Sequence, residues 1–221
     1  MAQNDSHNDD DSLDLVPILE EPNAIELPEA GVGTLFSDDL PLMASKLTAI
    51  ESFLKLLTTD VKFQDFVREV LLIFMKAVKS EAGAILECNH RDGTIFFRTA
   101  AGHASDQVVR FVIPMGQGIV GYVAESKQPF IVSNVNENSI HLKAITDAVG
   151  FNARNMVALP IIIRGKTFGV VELLNRVGEQ DYTKADMDLL KSLCEFAAKT
   201  IEVRLMIAWR AQNKDNQKDA A

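Results

Sequence analysis

Three groups of residues in this chain could do chemistry: a glycine-punctuated turn, one carboxylate inside an apolar strand, and two cysteines with four scattered histidines. The turn is Met115-Gly-Gln-Gly-Ile-Val-Gly-Tyr-Val-Ala124. An apolar run, Val108 to Ile113, leads into it and reads as a strand, which Pro114 ends because proline has no N–H for the ladder. Gly116 and Gly118 permit a tight turn that side chains would obstruct. Beyond them the spacing of Ile119, Val120 and Val123 predicts a short helix ending near Lys127, just before Gln128-Pro129. A strand thus passes to a helix N-terminus, where free N–H groups can meet a ligand or a cap.

Gly116-x-Gly118-x-x-Gly121 also spells the dinucleotide-binding pattern. That pattern has meaning only inside a strand–helix–strand unit whose second strand ends on an acid. Here the helix is short, the next strand (Phe130 to Ser133) ends at Asn134, and no alternation of strands and long helices follows. Without that context the glycine pattern is a weak signal and does not point to a nucleotide-cofactor fold. Ser133 lacks an elbow motif, and none of the histidines lies in a catalytic signature. His90 and His103 sit in or beside turns without a ligand partner at metal-binding spacing. Cys194 falls on a helical apolar stripe and reads as an inert core thiol; Cys88 closes the first strand. No disulfide framework is implied. The chemistry narrows to Glu172, which interrupts a strand otherwise apolar from Phe168 to Leu174. A buried carboxylate must be paired or hydrogen-bonded. Either a ligand donor such as a base or amine meets it, or it pairs with Arg154 or a backbone N–H.

The elements around these residues are legible in order. Residues 1–40 form an acidic tail expected to be disordered, although Leu13, Leu15, Val16, Ile18 and Leu19 cluster in it, either incidentally or as a docking segment. Residues 1–45 hold eleven acids and no Lys or Arg, so the remainder carries twenty acids against twenty-two bases, or +2 of the total −9. Neither part offers the basic face that nucleic-acid binding needs. From 41 to 58 a helix carries Met43, Leu47, Ile50, Leu54 and Leu57 at coiled-coil spacing. Asp60 is placed to cap the next helix, whose broad apolar face runs from Phe63 to Val78. Gly83 to Glu87 and Thr94 to Ala100 form a hairpin across Asn89–Gly93. A polar loop (133–139) and a helix (140–149) follow. Asn155 to Ile163 and Thr167 to Leu174 are apolar on both faces, so they belong at the centre of a sheet. The last helix starts near Thr183, with two apolar stripes. One is Leu189, Leu193, Phe196, Thr200, Val203 and Ile207; the other is Leu190, Cys194, Ala197, Ile201, Leu205 and Ala208. One sheet needs only one stripe, so a second partner is implied. Residues 210–221 are polar and expected to fray.

Gly116–Ala124, Gln128–Val132, Val149–Met156, Leu159-Pro160 and Phe168–Arg176, in that order and spacing, resemble the GAF family. The resemblance covers about residues 60 to 207 and sets a GAF domain at 59–209. It implies an α+β fold: a six-stranded antiparallel sheet with flanking helices, serving as a ligand-sensing and dimerising module. Its geometry would place Thr99, Ile119, Val120, Asn134, Phe151, Arg154, Asn155 and Glu172 around a pocket over the sheet, closed by the 119–126 helix and the 133–150 segment. The cyclic-nucleotide branch of the family carries Asn-Lys followed by Phe-x-x-x-Asp-Glu. This chain has Asn175-Arg176, then Tyr182, Asp186 and Met187, which matches in character and implies an Arg176–Asp186 pair holding a helix to the sheet. Ala153 and Gly83 stand where cyclic-nucleotide binders tend to place hydroxyls, which lowers the expectation of a cyclic nucleotide.

The family's methionine sulfoxide reductases and bilin binders use cysteines near the pocket, and 108–160 contains none. A non-catalytic regulatory module is therefore expected, binding a small organic ligand or cyclic nucleotide; the alternative is a ligand-free scaffold. No output domain is expected after the last helix, so a signal would leave through a homodimer or a protein partner. The dimer would use Met43, Leu47, Ile50, Leu54 and Leu57 with Leu193, Thr200, Val203 and Ile207. The chain has no apolar run of membrane length and no secretory leader, and a cytoplasmic location is expected.

Overall fold

In the computed structural model the described residues are 40–103, 105–135, 150–178 and 181–218, with side chains described as far as 210. The acidic tail with its Leu13–Leu19 cluster, most of the polar loop and the expected 140–149 helix lie outside them.

The elements run α1 (Leu40–Thr58), α2 (Phe63–Val78), β1 (Ser80–Asn89), β2 (Thr94–Ala101), α3 (Ser105–Val108), β3 (Val112–Pro114), α4 (Gly118–Ser126), β4 (Phe130–Val132), β5 (Met156–Ile163), β6 (Lys166–Arg176) and α5 (Lys184–Lys218). The strands form one six-stranded sheet in the order β3-β2-β1-β6-β5-β4, with every neighbouring pair antiparallel. This is the expected α+β architecture, with β1 and β6 at its centre.

Alternation along the strands assigns two faces. Ile85, Val157, Leu159, Ile161, Val171 and Leu173 pack under α1, α2 and α5. Ala84, Leu86, Met156, Ala158 and Val170 pack on the other face with Ile119, Val120, Val123 and Ala124 of α4. Both faces of the central strands are covered, which explains their nearly continuous apolar sequence.

Four expectations need correction. The run from Val108 to Ile113 is not a strand: α3 ends at Val108, and β3 is a short edge strand pairing Val112–Pro114 with Thr94–Phe96. Asp60 does not cap α2; Lys62 is the N-cap residue and makes no side-chain bond to the helix. The linker is held from outside instead, since the Arg204 guanidinium donates to the carbonyls of Thr59 and Val61. α5 does not stop near 210 but continues helical to Lys218.

The fourth correction concerns α1, which docks on its own chain. Ala49, Phe53 and Leu56, a second and shorter stripe, are its buried residues. Phe53 is fully buried and meets the Phe74 ring edge-on, with centroids 6.2 Å apart. A buried aromatic ring outweighs a single seam leucine, which decides the face that turns inward. Lys46 Nζ donates to Ser192 Oγ (3.2 Å) near one end, and Arg204 holds Thr59 at the other, so α1 and α5 lie parallel. The coiled-coil seam is left outside: Met43, Leu47 and Leu54 are exposed, Ile50 and Leu57 half-buried. On α5, Leu193 and Thr200 are spent in the chain's own core, while Phe196, Val203 and Ile207 remain exposed.

Candidate functional site

The glycine turn is built for packing. A Cβ on Gly121 would lie 2.9–3.1 Å from Gly116 backbone and the Pro114 carbonyl, so only glycine lets α4 sit this close to its own lead-in. Gly116 N–H donates to Gly121 O (3.2 Å) and Gln117 N–H to Pro114 O (3.2 Å). These two amides are spent inside the turn, which accounts for the dinucleotide-like spelling without any phosphate. At the far end of α4, Thr167 Oγ1 donates to Ala124 O (2.8 Å), tying the helix to β6.

Beneath α4 the register produces an unusual floor. Ala84 pairs with Ala100 on one side and Glu172 on the other, and Glu172 pairs with Ala158. One row across β2, β1, β6 and β5 therefore reads Ala100, Ala84, Glu172, Ala158. The row on one side reads Phe97, Leu86, Val170 and Pro160, and the row on the other reads Ala82, Leu174 and Met156, so the larger side chains flank it everywhere but at Ala82. Glu172 is 9% exposed, and among the described residues no hydrogen-bond donor or charge acts on its carboxylate. Burial pushes that carboxyl up to about 7.

The expected site residues divide. Ile119 and Val120 line the α4 face with Glu172, and Phe151 packs at its margin. Asn134 is exposed at the edge of the described loop. Thr99 pairs with Ile85 and lies two residues before Ala101; Ile85 and Ala101 are both in the helix-covered core, so Thr99 faces away from Glu172. Arg154 does not pair with Glu172: its guanidinium bonds Glu81 (2.8 Å) and holds that carboxyl below its ordinary range. Both partners are more than a third exposed, so replacing Glu81 by Gln is expected to cost less than about 1 kcal/mol in urea titrations. Gly83 also faces the helices, where a Cβ would strike Leu173 Cδ2 at 2.9 Å. Its missing side chain reflects packing and says nothing about ligand choice.

Asn155 belongs to a structural clamp. Its Oδ1 accepts Arg176 N–H (2.9 Å), and its Nδ2 donates to Asp181 (3.4 Å). Asn175 sits at φ 55, a left-handed conformation asparagine tolerates, and holds the incoming chain by accepting from Arg154 N–H and donating to Asn152 O. Arg176 then pairs with Asp186 (3.1 Å), and Tyr182 hydroxyl meets Ser80 Oγ (2.7 Å). The Arg176–Asp186 pair is the one the sequence implied. Asp186 also accepts from Thr183 N–H and Oγ1, while Thr183 Oγ1 accepts the Asp186 N–H (3.1 Å). This capping box fixes the start of α5. Thr183→Ala is expected to lower stability by about 1 kcal/mol, read from the urea midpoint.

The comparisons with known proteins fall on this frame. The GAF domain family model matches residues 61–202. The chain belongs to the GAF family. Over 93 residues it is 29% identical to the cone cGMP-specific 3',5'-cyclic phosphodiesterase subunit alpha' of Mus musculus, covering 42% of this chain and 11% of that one. The chain thus spans about a tenth of the length of the curated relatives it matches. Among solved structures, the GAF domain of a phosphoenolpyruvate-protein phosphotransferase from Coxiella burnetii superposes with a TM-score of 0.64 at 16% identity, covering 75% of this chain and 98% of that one. The free methionine-R-sulfoxide reductase of Neisseria meningitidis in complex with its substrate gives 0.62 at 13%, covering 78% and 95%. These likenesses show the fold.

Sequence reasoning missed the alanine row. Its members are ordinary small residues, and only the strand register brings Ala84, Ala100 and Ala158 level with Glu172.

Proposed function

We propose that this GAF domain is a non-catalytic regulatory module that takes a small organic ligand on the α4-covered face and passes the signal to a second copy through α1 and α5. The observation that carries this is Glu172, a buried carboxylate that no described group satisfies, set among alanines. A buried acceptor without a donor is costly unless something supplies one. A ligand-free scaffold has no reason to keep a carboxylate there. The phosphodiesterase relatives make a cyclic nucleotide the first candidate to try.

Catalysis by cysteine has little support. Cys88 lies on the α4 face with its thiol pushed up to about 11, and Cys194 lies on the helix-covered face, also raised by burial. The sheet separates them, and both are held far from the thiolate form a nucleophile needs.

Thermal unfolding of the full chain with cyclic GMP, cyclic AMP and a panel of small amines tests the reading. A ligand at a hundred times its Kd should add about 2.7 kcal/mol of stability, and Glu172→Gln should erase most of the gain. No stabilisation by any compound, with Glu172→Gln behaving identically, would favour the scaffold.

A further inference from the structure

Resting on the reading that this face is a ligand site, we infer that its ligand is a flat nitrogen base whose amidine-type edge donates two N–H groups to the Glu172 carboxylate. An ionised carboxylate only accepts, and its two oxygens match two parallel donors in one plane, as in an amidine, a guanidine or the edge of a guanine ring. Glu172 offers that capacity unspent, since it is buried on its strand and no described group donates to it.

The floor gives the shape. At its three alanines the row Ala100, Ala84, Glu172, Ala158 is lower than Phe97, Leu86 and Val170 on one side and than Leu174 and Met156 on the other, where Ala82 leaves the β1 end open. Same-face rows are roughly 7 Å apart, so the low row is a trough the width of one flat ring. Its walls and its cover, Ile119, Val120 and Val123, are apolar and suit a ring's faces. Once ionised, Glu172 repels an anionic or acceptor-only edge. An incoming cation would be neutralised by the carboxylate instead of adding an unpaired buried charge.

The test uses the full chain with 13C-labelled alanine methyls, titrated with benzamidine, with benzoate of the same size and opposite charge, and with cyclic GMP. Benzamidine is expected to shift the Ala84, Ala100 and Ala158 methyls, with binding at least tenfold weaker in Glu172→Gln. The retained methyl spectrum of that variant reports its fold. Cyclic GMP binding more tightly than benzamidine, with the same loss in Glu172→Gln, would assign the donor edge to a nucleotide base; benzamidine binding alone would assign it to a free organic cation. Benzoate binding at these methyls, or benzamidine binding Glu172→Gln equally well, would overturn the ligand class yet keep the face as a ligand site. If none of the three probes moves the three methyls, both readings fall.

Discussion

Light scattering of the full chain at micromolar concentration is expected to give twice the 24.4 kDa chain mass, and Leu47→Lys with Leu54→Lys is expected to return it to 24.4 kDa. The reason is what α1 leaves uncovered after docking. Met43, Leu47 and Leu54 on α1 are 53%, 68% and 58% exposed, and Phe196, Val203 and Ile207 on α5 are 36%, 42% and 51% exposed. The two helices lie parallel, and both seams repeat at alternating steps of four and three, the spacing that fits a helix of the same period. A second copy supplies that pair in matching form, and a two-fold arrangement lets each copy cover the other. Burying what remains exposed of these six side chains is worth roughly 5–9 kcal/mol per copy. Association costs roughly 4–15 kcal/mol, so the contributions of both copies are needed.

The double lysine variant removes the two most exposed seam leucines from each copy and brings four charges into the shared face. Because Leu47 and Leu54 are already exposed in the single chain, far-UV circular dichroism should be unchanged. A 24.4 kDa mass for the unaltered chain would refute the dimer. So would a dimer that survives both lysines.

How the chain announces its fold can be followed residue by residue. The seam on α1 and the stripes on α5 were legible because 3.6-residue periodicity is local. Which α1 stripe turns inward was not, because it depends on Phe53 meeting Phe74 in another helix. The Arg176–Asp186 pair was foreshadowed by the resemblance of Asn175, Arg176, Tyr182 and Asp186 to the family motif, which implies it. Glu172 stood out as a charge in an apolar strand, but its surroundings did not. Thr99 and Gly83 could be assigned to a face only once the register was known, since one residue's slip exchanges the faces of a strand. The Val108–Ile113 run failed for a related reason: its apolar residues close a short helix and an edge strand, and no central ladder receives them.

Glu172→Gln is expected to raise the stability of the ligand-free protein at pH 8 by up to about 3 kcal/mol relative to its effect at pH 4, with most of that change between pH 5 and 8. Burial lifts the Glu172 carboxyl from its ordinary value of 4.5 to about 7, so between those values the folded chain holds a proton that the unfolded chain has released. Stability from this group is therefore greatest at low pH, falls as pH rises through about 7, and is level above it. Glutamine has the shape of the protonated acid and cannot ionise, so the variant should lack that decline. Any constant cost of burying the amide appears at both pH values and cancels in the difference. Urea unfolding of the two proteins at pH 4, 6 and 8 measures it. A variant that loses stability relative to the parent as pH rises would show that the carboxylate has a donor in the folded chain. A saturating cation on Glu172 should reverse the sign in the parent alone, because the bound ligand then favours the ionised form that the empty site resists.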